Sequence, residues 1–301
     1  MTERIVVVGS INRDVVLGVE QLPIPGETVL GRSLGTYNGG KGANQAVAAA
    51  RLGRSVAMVG RVGDDRAGVA SREALTAEGI DARGVRVDRK AVTGSAMILV
   101  DDDGENSIVV VPGANGRLSA KDVVACSDAI GAAAVTLVQL EVPMEAVAEA
   151  VRLSRGTVVL NAAPARPIPA EVMRAVDVIV VNRSELAGLC ADLEAESTKE
   201  IASQVERLRC PGAVVVTVGS DGAMVVDNGD IVHVPAVNVA VVDTTGAGDA
   251  FCGAVADALA GGDTLERAVG WAVLVGAAAA TKVGAQVALP TRSEVKAMLK
   301  R

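Results

Sequence analysis

Short apolar runs without internal alternation recur along the chain at Ile5–Val8, Val56–Val59, Val135–Leu140, Val158–Leu160, Val176–Val181 and Val214–Val218. Such runs suit strands covered on both faces. Between them lie stretches of helical length, often rich in Ala: Ala43–Leu52, Ala146–Leu153, Lys199–Arg209 and Asp249–Ala260, the first ending at Gly53 and the last at Gly261-Gly262. Strand and helix in alternation predict parallel βα units and an α/β fold with a mostly parallel central sheet. The longest apolar stretch, Ala268 to Thr281, lies between Arg267 and Lys282. It falls short of the ~18 residues a membrane span requires and reads as a buried helix.

Two segments break this rhythm. Ser95–Val100 and Ser107–Val111 flank the polar, Gly-containing Asp101–Asn106, which predicts a hairpin. Asp14 to Tyr37 is poor in helical pattern and punctuated by Pro23, Pro25 and Gly26. Together they fit a small antiparallel sheet outside the main layer, either a flap shielding a substrate from water or plain surface elaboration. The expected division is a main α/β domain of residues 1–14, 38–91 and 112–301, with 15–37 and 92–111 as the flap.

In open α/β sheets, ligands bind beyond the carboxyl ends of the strands. Those ends carry Gly9-Ser-Ile-Asn12, Glu141, Asn161, Asn182 and Thr217-Val-Gly-Ser220. Any one suits a turn or a cap, but five together describe a cleft lined with hydrogen-bonding groups.

Composition narrows what that cleft can do. The 301 residues include one Phe, one Tyr and one Trp, so stacking platforms for nucleic acid are excluded. A net charge of −7 also lacks the basic footprint of a phosphate-backbone binder. Four widely spaced cysteines form no CxxC pair, and no signal peptide precedes Ile5, which fits a reducing cytoplasm. The single histidine, His233, sits in an alternating strand pattern, Ile231–Pro235, and reads as structural. Proton transfer then falls to carboxylates.

The strongest local signal is Val242-Asp-Thr-Thr-Gly-Ala-Gly-Asp249 ahead of an Ala-rich helix. Its glycines let backbone N–H groups converge where the helix dipole adds positive potential, which suits a phosphate or a developing phosphoryl anion. Asp249 then sits where it can accept a proton from a hydroxyl, or serve as a plain helix cap. The second signal is Asn38-Gly-Gly-Lys-Gly-Ala-Asn-Gln45. It misses a P-loop, because Gly42 stands where Ser or Thr should bind Mg²⁺ and no apolar strand precedes it. Its glycines permit close approach to a polyhydroxylated ligand, with Lys41 and Asn44 as donors. The third is Asn182-Arg-Ser-Glu185, either a capping arrangement or a contact to a phosphate and its metal-bound water.

Taken in order, Gly9-Ser-Ile-Asn-Arg-Asp14, Gly39-Gly-Lys-Gly-Ala-Asn-Gln-Ala46, Gln139-Leu-Glu141, Asn161-Ala-Ala-Pro-Ala165, Asn182-x-x-Glu185, Asp243-Thr-Thr-Gly-Ala-Gly-Asp249 and Lys282-Val-Gly-Ala-Gln286 resemble the ribokinase-like (PfkB) carbohydrate kinases from Gly9 to Pro290. The N-terminal pair of motifs is the more particular to the ribokinase branch. The resemblance implies a three-layer αβα fold with a β-sheet lid that also forms a homodimer contact. It implies ATP-dependent phosphorylation of a small sugar, ribose first, with deoxyribose, fructose or a nucleoside as alternatives. Asn12, Asp14, Gly40, Lys41, Gly42, Ala43, Asn44 and Glu141 match the sugar-binding set, Asp249 the base, and Gly246, Ala247 and Gly248 the anion hole. Asn182, Thr217, Val218, Gly219, Ser220, Asp221 and Gly222, together with Gly248, are similar to nucleotide contacts. Glu185 matches the acidic residue associated with Mg²⁺. Ligands of a monovalent cation, usually K⁺, would fall on Asp243, Thr245, Ala279, Lys282, Gly284 and Ala288.

Departures from the pattern are Ala162 where Pro is common, Arg183-Ser184 in place of Glu-Thr, and Ala288 where Ser is often seen. A sugar- or nucleotide-binding regulator without activity has no need of Asp249. A NAD-dependent dehydrogenase is disfavoured because Gly9-Ser-Ile-Asn12 stands where GxGxxG should follow the first strand.

Overall fold

The valines of the first apolar run form β1 (Arg4–Val8), which is buried beyond its first residue. A computed structural model describes residues 4–299. Residues 1–3 and 300–301, the outermost ends of the expected main domain, lie outside the described residues. The chain continues through β2 (Asn12–Val19), β3 (Gly31–Gly39), α1 (Lys41–Arg51), β4 (Ser55–Gly63), α2 (Arg66–Ala77), β5 (Asp81–Asp88), β6 (Ser95–Val100) and β7 (Asn106–Val111). Its second half runs α3 (Ala120–Val124), α4 (Ser127–Gly131), β8 (Val135–Gln139), α5 (Met144–Leu153), β9 (Thr157–Asn161), α6 (Ala170–Met173), β10 (Val178–Asn182), α7 (Arg183–Cys190) and α8 (Thr198–Leu208). It ends with β11 (Ala213–Thr217), β12 (Ala223–Asp227), β13 (Asp230–Val234), α9 (Ala247–Ala260), α10 (Leu265–Ala279) and α11 (Arg292–Met298).

Nine strands form the main sheet in the order β13-β12-β11-β10-β9-β8-β1-β4-β5, parallel except where β12 and β13 fold back at one edge. Alternate residues of each strand feed two cores. Ile5, Val7, Met58, Leu137, Val159 and Val215 pack under α1, α9 and α10, while Val6, Val8, Val59, Leu160, Ile179 and Val216 pack under α5, α7 and α8. This is a three-layer α/β sandwich, and the near-absence of rings is made good by Ala and Val at close spacing. No helix among the described residues is long and apolar enough to cross a membrane.

A second sheet, β3-β2-β6-β7, stands apart from the first. It is mixed rather than antiparallel, because β2 and β6 pair in parallel. The chain between them runs through α1, β4, α2 and β5, and so re-enters the small sheet in the same direction. Its first strand opens at Asn12 and its second closes at Gly39, so it takes in residues beyond the 15–37 segment.

In the main sheet, the order reverses at β1, which lies between β8 and β4. That reversal opens a crevice at the carboxyl ends of β1 and β8.

Candidate active site

The crevice is built by glycines that let three chain segments meet. A Cβ at Gly42 would lie 2.7 Å from the Ser10 amide nitrogen, and one at Gly40, whose φ is +87°, only 2.8 Å from that of Asn12. The glycine-rich start of α1 is therefore packed directly on the β1–β2 corner, backbone on backbone. Glu141, just past β8, clamps this junction. Its Oε2 accepts from Ser10 Oγ at 2.5 Å and from the Lys41 amide at 3.0 Å.

Asp249 enters from the first turn of α9 and is buried. Asn44 Nδ2 donates to its Oδ2 at 2.8 Å and Gln45 Nε2 to its Oδ1 at 3.0 Å. Burial pushes its carboxyl above the ordinary range, opposed by the Lys41 charge and the two amide donors, while Glu141 adds to the rise. Burial works against the charge on Lys41, yet the carboxylates of Asp249, Glu141 and Glu185 outweigh it and hold the ammonium above its usual range. Asn44 keeps its Oδ1 buried without a hydrogen-bond partner among the described residues, an acceptor ready for a ligand hydroxyl.

At the head of the same helix, Gly246 takes φ +77° as N-cap, its Cα region backed by Ala285. Apart from its chain neighbours and its own helix backbone, no atom lies within 4 Å of where a Cβ on Gly248 would stand. Neighbouring atoms therefore do not demand glycine at 248, and its missing side chain leaves the space over the helix amides open. The amides of the first helical turn have no partner within a helix, and Ala247 uses the Thr244 carbonyl at 3.1 Å. Such a terminus fits an anion.

Asn12 and Asp14 point at this site from β2, in the small sheet. Asn12 Oδ1 accepts from Asn115 Nδ2 at 2.7 Å, and Asn115 also holds both main-chain groups of Ile11. Asp14 Oδ1 accepts from the Ala96 amide of β6 at 2.9 Å. Burial raises the Asp14 carboxyl to about 6 against that bond, with Glu141 adding to the rise. Gly39 is required here, since its Cβ would fall 1.9 Å from Asp14 Oδ2. Sequence reasoning missed Asn115, because nothing near it in the chain marks it.

On the far side, Asn182 and Glu185 form a capping box on α7. Asn182 Oδ1 accepts from the Glu185 amide at 2.7 Å, and Glu185 Oε2 from the Asn182 amide at 2.8 Å. The capping geometry leaves the Asn182 amino group and Glu185 Oε1 to face outward. Burial raises the Glu185 carboxyl, with Lys41 lowering it and Asp249 raising it, so all three share one field. Thr217 to Gly222 turn between β11 and β12, with Gly219 at φ +63° and Gly222 at φ +100°. His233 Nε2 meets the Asp221 carbonyl at 2.7 Å, and Arg183 reaches Asp221 Oδ2 at 3.4 Å. The histidine thus braces a turn, as its strand pattern indicated.

Asp243 ties two loops together, its Oδ1 accepting from the Thr245 amide at 2.8 Å and its Oδ2 from the Gly284 amide at 2.7 Å. Burial pushes this carboxyl up, but those bonds outweigh it and hold it below the usual range. The carbonyls of Thr245, Lys282, Gly284 and Ala288 take no hydrogen bond among the described residues, whereas Ala279 accepts from the Lys282 amide at 3.1 Å. The Lys282 ammonium turns away to Glu294 at 2.5 Å. No group of three or more His, Cys, Asp or Glu among the described residues is arranged to hold a metal ion.

Comparison with known proteins identifies the family and the fold. The family described as pfkB family carbohydrate kinase matches residues 2–292. A ribokinase of Schizosaccharomyces pombe is 37% identical over 305 residues, covering 97% of this chain and 96% of that protein. The solved ribokinase of Thermotoga maritima superposes with a TM-score of 0.89 at 35% identity, over 99% of each chain. Arabidopsis thaliana ribokinase, solved with ribose and ATP, gives 0.89 at 32% identity over the whole of both chains.

Proposed function

The chain belongs to the pfkB family of carbohydrate kinases, and on that footing we propose that it is a ribokinase, transferring the γ-phosphoryl group of ATP to the 5-hydroxyl of D-ribose. The observation that carries this reading is Asp249, a buried carboxylate held by Asn44 and Gln45 at the mouth of an open helix N-terminus. Asn12, Asp14, Asn44 and Glu141, with Lys41 at a glycine-rich turn that permits close approach, present donors and acceptors to a small polyhydroxylated ring without any aromatic surface. Asp249 takes the proton of the attacking hydroxyl, and the helix head at Gly246, Ala247 and Gly248, with the Ala247 amide shared with the Thr244 carbonyl, stabilises the charge that develops on the transferred group. Positioning and charge stabilisation are what phosphoryl transfer requires.

The nucleotide lies along Asn182 and the turn Thr217, Val218, Gly219, Ser220, Asp221 and Gly222. Glu185 suits a Mg²⁺ that takes its remaining ligands from phosphates and water, which fits a site with one free carboxylate oxygen rather than a protein cage. The bare carbonyls of Thr245, Lys282, Gly284 and Ala288 suit a hard monovalent cation such as K⁺, with Asp243 holding their loops together; Ala279 contributes less, its carbonyl being engaged. When bound, Mg²⁺ neutralises phosphate charge, and the monovalent cation stiffens the loops behind the anion hole.

The small sheet covers the sugar. Its outer strand β7 exposes Ile108, Val109, Val110 and Val111, and β6 exposes Met97, an apolar surface suited to a second copy of the chain. Four unpaired cysteines suit a cytoplasmic enzyme.

The test is ADP release over a panel of pentoses, hexoses and nucleosides, with K⁺ and with Na⁺. Ribose is expected to be turned over fastest; turnover confined to nucleosides overturns the substrate assignment. Asp249→Asn should abolish turnover while ribose binding stays within about tenfold, and near-normal turnover in that variant removes Asp249 from the role of base.

A further inference from the structure

Behind Asp249, Gln45 is itself held by two further amide side chains, Gln139 and Asn161, that have no task in the reaction as derived so far. Gln139 and Asn161 are register partners at the ends of β8 and β9, and Asn161 is in turn opposite Val180 of β10. Asn161 Nδ2 donates to the Val180 carbonyl at 3.2 Å, which turns its Oδ1 toward α1. There Gln45, wholly buried, donates through Nε2 to Asn161 Oδ1 and to Asp249 Oδ1, both at 3.0 Å. Its Oε1 accepts from Gln139 Nε2 at 2.6 Å.

Only one orientation of the Gln45 amide satisfies these neighbours. Turned over, it would set its oxygen against the carboxylate of Asp249 and the oxygen of Asn161, and its amino group against the donor of Gln139. Every bond would become a repulsion in a place closed to water. Asn161 is fixed by backbone, and Gln139 Oε1 fills the space of a side chain at position 9, where a Cβ would lie 1.8 Å away. Gly9 thereby leaves room for the amide that orients the amide that holds Asp249.

We propose that Gln45 is a positioning residue for the base, kept in its one useful orientation by Gln139 and Asn161 so that Asp249 stays ionised and aimed at the substrate hydroxyl. This rests on Asp249 acting as the base. Charged and titratable groups facing that carboxylate are Lys41 on α1, Glu141 beyond β8, Glu185 on α7 and Cys252 on its own helix. All of them remain when Gln45 is changed.

The experiment is Gln45→Leu, which keeps the volume and removes both hydrogen-bonding ends. The expected result is a fall in kcat of about 10–100-fold with the ribose KM changed less than about threefold. The acid limb of the kcat/KM profile should move up by about half to one pH unit, since a donor to the charged form is lost. A role in packing alone lowers the thermal midpoint but leaves the acid limb in place, and that outcome overturns the proposal. Should the variant not fold, Gln45→Met decides, because it is closer in shape to glutamine and likewise removes the donor to Asp249; an unchanged kcat and acid limb there overturn it too. Asp249→Asn run alongside separates the two claims: if that variant is active the base assignment has failed, and if it is dead while both glutamine variants behave as wild type only the positioning claim has.

Discussion

Asp14 shows how one buried carboxyl couples binding to pH. Burial lifts it from 3.8 to about 6, so between those values the folded chain holds a proton that the unfolded chain has released. The stability contributed by its neutral form is present below 3.8 and lost as pH rises through about 6. Asp14→Asn should therefore stabilise the free protein at pH 7, by about 1–2 kcal/mol after allowance for partial exposure, with no gain at pH 3.5. Sugar recognition runs the other way, since the ionised form accepts hydroxyls. The ribose KM should rise about tenfold from pH 8 to pH 5, and a level KM with only kcat changing removes Asp14 from hydroxyl binding. Residues of this kind were legible in the chain because each stands out locally, as Asp249 does after its glycines. Asn115 and the roles of Gln45, Gln139 and Asn161 were not, because they exist only once segments up to about two hundred residues apart meet in register.

At the level of single elements, α7 combines a structural and a chemical task at one residue. Asn182 caps the helix through its oxygen, which leaves its amino group for the proposed nucleotide contact. Ser caps about as well but offers no such donor, so Asn182→Ser should keep the thermal midpoint and raise the ATP KM, whereas Asn182→Ala should also lose about 1 kcal/mol of stability. Equal ATP KM values in Asn182→Ser and wild type would confine Asn182 to capping. The elements that pattern foretold are those whose burial is continuous, such as β1, β8, β11 and α9. Some missed elements lack that mark, although the missed β12 is buried from Ala223 to Val226. α2 buries only Gly68, Ser71 and Leu75, and β5 alternates charge along the sheet edge. The Val176–Val181 strand begins instead at Val178, because Asp177 turns to accept from the Val158 amide at 2.7 Å.

Across the whole molecule, the C-terminal third is fastened to α1 by arginines. Asp257, 1% exposed, receives Arg54, Arg292 and the Trp271 indole, with Arg292 stacked 5.1 Å from the Trp271 ring. Asp257→Ala removes the acceptor shared by Arg54, Arg292 and the Trp271 indole and should cost about 3 kcal/mol, read as a lowered thermal midpoint. At the other extreme, Val109→Asp on β7 should convert a dimer to a monomer in sedimentation and raise the ribose KM; a wild-type chain that sediments as a monomer at micromolar concentration overturns the pairing.

The small sheet has one more consequence, for time rather than affinity. Asn12 and Asp14, the contacts proposed for the sugar, are residues of its own strand β2, so in the proposed site one piece of chain both grips and roofs. A sugar cannot then escape past an independent gate; release requires the strand to let go and lift in one motion. On that reading residence time and grip are coupled, and a change that strengthens hold through β2 also lengthens the stay of a product gripped by the same strand.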